Sequence, residues 1–155
     1  ELSLAILDQG RVLLLAQSTT ERGPVTYGFT AGAHIPLVHT SLGRMLLACL
    51  PQEEAAELLQ HAEVPRHTEQ SHLDREAILQ QVAEARSCGY CITDSEFEPG
   101  IVGYAVALSR PGKTPVVLGS SAPSGLTPNH HREELLQGLQ VCAAELRQTN
   151  AVDDL

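Results

Sequence analysis

The chain has 155 residues and a formal net charge of −9, from 10 Lys and Arg against 19 Asp and Glu with His neutral. That length suits one domain that buries about two thirds of its unfolded surface without disulfide or metal staples, and 43% hydrophobic against 19% charged residues excludes a disordered chain. The acidic excess and the scatter of the basic residues argue against direct nucleic-acid binding, and no apolar run approaches the ~20 residues of a membrane-spanning helix.

The sequence opens at Glu1 straight into an apolar stretch, without a basic-then-apolar leader, and so reads as a cytoplasmic piece of a longer protein. Residues 2–7 and 12–16 are short apolar runs separated by Asp8-Gln9-Gly10-Arg11, which predicts a β-hairpin. Alternation over 25–29 predicts a third strand, followed by an irregular connection from Gly32 to Pro36. From Thr40 or Ser41, Leu42, Met45, Leu46 and Cys49 fall three and four apart behind a capping hydroxyl, the pattern of a helix. Pro51 at a first-turn position, with Glu53 and Glu54 behind it, starts a second helix through Ala55, Leu58 and Leu59. Ser71-His72-Leu73-Asp74 reads as a capping box opening a third helix through Ile78, Val82 and Ala85 to Gly89.

Strand character returns at 90–93, 104–108 and 116–120, the last two joined as a hairpin through Pro111-Gly112-Lys113. Thr127 as cap and Pro128 behind it start a long final helix, whose stripe Leu135, Leu139, Cys142 and Leu146 must pack on something. Hairpins at both ends favour antiparallel pairing, because parallel neighbours would each need a crossover. The expected fold is therefore α+β: a mostly antiparallel sheet with helices on one face and a ligand cleft against the other face or under the loops.

Cys88-Gly89-Tyr90-Cys91 has the spacing of zinc and thiol-redox sites, yet it lacks a second pair and straddles a helix end and a strand start, which favours a structural role. Cys49 and Cys142 lie within apolar segments, and all four thiols are expected to be reduced. Neither His67 and His72 nor His130 and His131 share a helical face, so the histidines are expected at the surface and no metal is expected. The serines after Gly119 form no nucleophile elbow but can offer hydroxyls to a polar ligand at a strand end. At Ser41-Leu42-Gly43-Arg44 the amides of a helix start could hold a carboxylate; the plainer alternative is that Ser41 or Thr40 caps the helix.

Several segments in order resemble the C-terminal effector-binding domain of IclR-type transcriptional regulators. They are Leu4-Ala5-Ile6-Leu7-Asp8, the run from Gly32 to Ala48 with Thr40-Ser41-Leu42-Gly43-Arg44 in it, and Leu50-Pro51-Gln52-Glu53-Glu54. Gly89-Tyr90-Cys91-Ile92-Thr93-Asp94-Ser95-Glu96, Glu98-Pro99-Gly100-Ile101, Tyr104-Ala105-Val106-Ala107 and Ser121-Ala122-Pro123 complete the set. The resemblance implies a GAF-like or PAS-like fold with a curved sheet and a pocket for a small organic or aromatic acid. Carried over position by position, it implies ligand contacts at Ser41 and Leu42, Thr93, Ile101 and Gly103, and Gly119 and Ser121. It further implies a small-molecule effector, a homodimer or homotetramer, no cofactor, and operator DNA reached only through an N-terminal winged helix-turn-helix outside these residues.

The chain departs from the family where acid-binding relatives can place an acidic residue, a cysteine and a serine, and here has Thr93, Gly103 and Gly119. The expected consequence is a roomier, less polar pocket and a ligand bulkier than two-carbon acids. Arg44 replaces a lysine and Ala107 a proline, changes expected to leave the fold intact. Two other classes stay open at this stage: a stand-alone enzyme pairing Cys or Ser with His, and a pure dimerisation module.

Overall fold

A computed structural model describes residues 1–18, 29–125, 129–149 and 151–152. The expected strand at 25–29, Phe29 apart, and the expected cap at Thr127 and Pro128 lie outside the described residues. The elements run β1 (Leu2–Asp8), β2 (Arg11–Ser18), β3 (His34–Ile35), α1 (Ser41–Cys49), α2 (Gln52–His61), α3 (Arg75–Cys88), β4 (Tyr90–Asp94), β5 (Ile101–Ala107), β6 (Val116–Pro123) and α4 (Asn129–Gln148). The strands form one sheet in the order β3-β2-β1-β6-β5-β4, antiparallel at every pairing. Gln9 and Gly10 both take positive φ, 50° and 77°, which matches the twist of the β1–β2 hairpin.

Helices cover both faces of the sheet, not one as the sequence suggested. Along β5 the side chains of Val102, Tyr104 and Val106 join Leu118, Leu139 and Ala143 on the α4 side, while Ala105 joins Met45, Leu46, Ile78 and Val82 on the α1–α3 side. β5 and β6 are apolar on both faces, so each face needs its own cover. The α4 stripe finds its partner here: Leu139 and Ala143 are buried, and Leu135, Cys142 and Leu146 pack around them.

β3 is a strand where an irregular connection was expected; two residues paired with Val12 and Leu13 are too few to show alternation in sequence. The α3 cap is Asp74, whose carboxylate accepts from the Glu76 amide at 3.1 Å, and not Ser71. Ser71 is drawn elsewhere, as described below. α3 stops at Gly89 with φ 83° as the sequence indicated, and Pro51 sits just ahead of α2 as its N-cap residue. Among the described residues no helix is long and apolar enough to cross a membrane.

Candidate functional site

Sheet register assembles the site. Thr93, Gly103 and Ser121 lie side by side across β4, β5 and β6, and Ala105, Gly119, Ser3 and Gln17 form the next row across β5, β6, β1 and β2. Directly paired residues present side chains to the same face. The N-terminal turn of α1 stands over these rows and encloses a cavity of about 100 Å³. All seven expected positions, Ser41, Leu42, Thr93, Ile101, Gly103, Gly119 and Ser121, line it. Sequence reasoning missed Leu14, Ile35, Phe29 and Phe97, which supply apolar wall, and His39, Glu96 and Glu98, which supply polar wall.

The two glycines do not leave spare room, contrary to expectation. A Cβ on Gly103 would stand 2.7 Å from Ser41 Oγ and 3.0 Å from Thr93 Oγ1, and one on Gly119 only 2.5 Å from Leu42 Cδ2. The space a side chain would occupy is already taken by α1, which approaches the sheet because the glycines allow it. What is gained is contact between the helix start and the strands, and the cavity stays small.

Thr40, not Ser41, caps α1: its hydroxyl accepts from the Gly43 amide at 3.1 Å and donates to the Pro36 carbonyl at 2.6 Å. The Ser41 side chain is thereby released toward Gly103, and the amides of Ser41 and Leu42, which precede the first intrahelical donor, the Arg44 amide, belong to residues that line the cavity. The positive end of the helix dipole falls at the same place.

Behind the cavity lies a polar network built by long-range contacts. Arg44, 1% exposed, grips the Glu96 carboxylate through both terminal nitrogens, donates from Nε to the Val38 carbonyl at 2.8 Å and reaches Gln81 Oε1 on α3. Lysine has one charged nitrogen and could not make this fork. Ser71 Oγ accepts from the His67 and Thr68 amides and donates to the Glu96 carbonyl at 2.6 Å, while Thr68 Oγ1 donates to the Ser95 carbonyl. The turn at 67–71 thus pins residues 95–96 and keeps Phe97 and Glu98 at the cavity wall. The one available signal was Arg44 itself, the sole charge in an otherwise uncharged α1.

His39 corrects the expectation that the histidines are superficial. It is 1% exposed, and Nε2 donates to the His72 carbonyl at 2.7 Å. Burial holds its pKa below the usual histidine value, so the ring is neutral near pH 7. Its ring meets His67 edge-on at 5.2 Å, His67 meets Phe97 at 4.8 Å, and Phe97 meets Phe29 at 5.4 Å. Three of these four rings, His39, Phe97 and Phe29, line the cavity.

No cysteine lines the cavity among the described residues, and burial pushes the Cys91 thiol up to about 12 and the Cys49 thiol up to about 11, away from nucleophilic thiolate. His39 Nδ1, the ring nitrogen left to act as a base, accepts no hydrogen bond from a serine among the described residues. The Cys- or Ser-with-His arrangement considered from sequence is therefore not assembled at this cavity. Cys88 is exposed, and its thiol donates to the Tyr90 carbonyl at 3.3 Å. Among the described residues no group of three or more His, Cys, Asp or Glu could hold a metal ion.

A model of the bacterial transcriptional regulator IclR C-terminal family matches residues 1–148. The p-hydroxybenzoate hydroxylase transcriptional activator of Acinetobacter baylyi is 28% identical over 151 residues, covering 94% of this chain and 56% of that protein. Among solved structures, the PobR inducer-binding domain from Acinetobacter, a double mutant in complex with 3-hydroxybenzoic acid, is 26% identical with a TM-score of 0.84, over 94% of this chain and 86% of that one. An IclR homologue from Microbacterium hydrocarbonoxydans complexed with 4-hydroxybenzoate is 26% identical with a TM-score of 0.79, over 95% of this chain and 59% of that one. The chain spans about half or less of the length of the first curated relatives it matches.

Proposed function

Since the chain belongs to the IclR C-terminal family of bacterial transcriptional regulators, we propose that its cavity is the effector site and takes up a small aromatic carboxylic acid. The observation that carries this reading is the convergence, on one small cavity, of a helix start with two free amides, three hydroxyls at Ser41, Thr93 and Ser121, and a wall of aromatic rings. Amides at the positive end of α1 suit a carboxylate, and desolvation by the surrounding wall strengthens that contact. The Glu96 charge is matched by Arg44, so it does not bar an anion from the donors at the start of α1.

Size sharpens the choice. An apolar cavity of about 150 Å³ accommodates benzene, so a cavity of about 100 Å³ is too small for two rings. Phe29 and Phe97 offer faces and edges to such a ring. The relatives complexed with hydroxybenzoates support the same class. Ser41, Leu42, Thr93, Ile101, Gly103, Gly119 and Ser121 are the proposed contact residues.

In the longer protein, occupancy would alter operator binding in the cytoplasm by a winged helix-turn-helix domain joined to this one, through a coupling of typically 1–3 kcal/mol. Assembly as a homodimer or homotetramer belongs to the same proposal, with exposed Val141 on α4 as one apolar contact; sedimentation would measure it. Thermal-shift and calorimetric titration with benzoate, 3- and 4-hydroxybenzoate, pyruvate and glyoxylate tests the effector reading. A ring-bearing acid at a hundred times its Kd should add about 2.7 kcal/mol of stability and be recovered unchanged. Tighter binding of glyoxylate or pyruvate than of any benzoate, or turnover of the bound acid, would overturn it.

A further inference from the structure

We propose that His39 is a specificity residue, selecting effectors that carry a hydroxyl donor besides their carboxylate; the inference rests on the effector reading above. His39 lines the cavity and is 1% exposed. Its Nε2 is 2.7 Å from the His72 carbonyl, and a carbonyl oxygen only accepts, so the proton sits on Nε2 and Nδ1 carries a lone pair. That Nδ1 is buried and has no hydrogen-bond partner among the described residues. A buried acceptor without a donor is unfavourable and uncommon in native proteins, and this one belongs to a ring in the cavity wall.

The missing partner is constrained by chemistry. A carboxylate is acceptor-only and cannot satisfy Nδ1, nor can Glu96 or Glu98, which also line the cavity. A phenolic hydroxyl can, because it donates and stays protonated at neutral pH. The cavity wall therefore includes two unlike elements: the start of α1 with the Ser41 and Leu42 amides, and the ring of His39, whose buried Nδ1 lacks a donor. A rigid ring bearing a carboxylate and, on another carbon, a hydroxyl answers both at once. A ring bearing the acid alone leaves Nδ1 unpaired. The arrangement is thus built to reject the plain acid, since a polar group in a closed site discriminates mainly through the cost of leaving it unmatched.

Fluorobenzoates supply the control, because fluorine is close to hydroxyl in size and donates nothing. Calorimetry of the 155-residue chain with 3- and 4-hydroxybenzoate and with 3- and 4-fluorobenzoate should show one hydroxybenzoate binding roughly tenfold tighter than its fluorinated match. In His39→Phe, which keeps an aromatic ring in the wall, that ratio should fall to about one. In the unaltered chain with 15N-labelled histidine, the His39 Nδ1 resonance should move on adding the preferred hydroxybenzoate and stay in place with its fluoro counterpart. Equal affinities for the two series, a ratio that survives in His39→Phe, or an unmoved Nδ1 resonance would each overturn the assignment while leaving the effector reading intact. Failure of every benzoate to bind would overturn the effector reading and this inference with it.

Discussion

The face of the sheet under α4 is closed by Leu139 and Ala143 against Val102, Tyr104 and Val106, with one apolar stripe meeting another. The face under α1 is closed differently: it carries a cavity, a buried Arg44–Glu96 pair and the buried His39. The same sheet therefore has a side that only holds the fold together and a side where stability and binding share residues. Polar groups on the second side are shaped by what they must hold in place, and each is expensive to leave unmatched.

Replacing Arg44 by Met should break the second side most severely, because it strands the Glu96 carboxylate in the interior. A loss of about 3–5 kcal/mol is expected in urea unfolding, together with loss of effector binding as residues 95–98 are released. Adding Glu96→Leu to Arg44→Met should restore much of the stability and not the binding. Leu139→Ala tests the first side, with about 2–5 kcal/mol lost to the cavity it leaves. Effector affinity, measured well below the unfolding transition, should be unchanged in that variant. If Leu139→Ala weakens affinity as much as Arg44→Met does, the two sides are not separable.

Gly103→Ala probes the contact between helix start and strand. Its Cβ would press on Ser41 Oγ and Thr93 Oγ1, so about 1–3 kcal/mol of stability and most of the effector affinity should go together. The smallest effect is expected from pH. His39 titrates in the fold below its ordinary 6.5, mainly through burial. Between the folded value and 6.5 the unfolded chain takes up the proton and the native one does not. This contribution is fully present above pH 6.5 and is lost as pH falls through that window. His39→Phe should flatten this part of the stability profile, and an unchanged slope would contradict the buried neutral ring.

Much of this was legible in the sequence because it rests on local signals. The Leu135, Leu139 and Leu146 stripe, the Gly89 stop and the Gln9-Gly10 turn each follow from residues near one another in the chain. The seven cavity positions came from matching spaced motifs and not from periodicity. The Arg44–Glu96 pair joins residues 52 apart, and His39 meets His72 from 33 away, so no local pattern announces either. Ser71 misled for the same reason: a hydroxyl three residues ahead of Asp74 looks like a cap until Glu96 arrives from 25 residues away to claim it. The glycines misled in a further way, since a missing side chain reads as vacancy in sequence while here another element fills it.

The guanidinium of Arg44 touches Val38 beside the helix start, Gln81 on the third helix and Glu96 beyond the fourth strand. Three stretches of chain are knotted through one planar group: withdrawal of Glu96 would strand a charge, and withdrawal of Val38 or Gln81 would leave a buried guanidinium N–H unmatched. Opening there should be all-or-nothing, so the backbone amides of Arg44 and Ser95 should exchange with deuterium at one shared rate, slower than the neighbouring turns and faster than the central strands. Capture and escape of a small molecule would then be timed by that single concerted event.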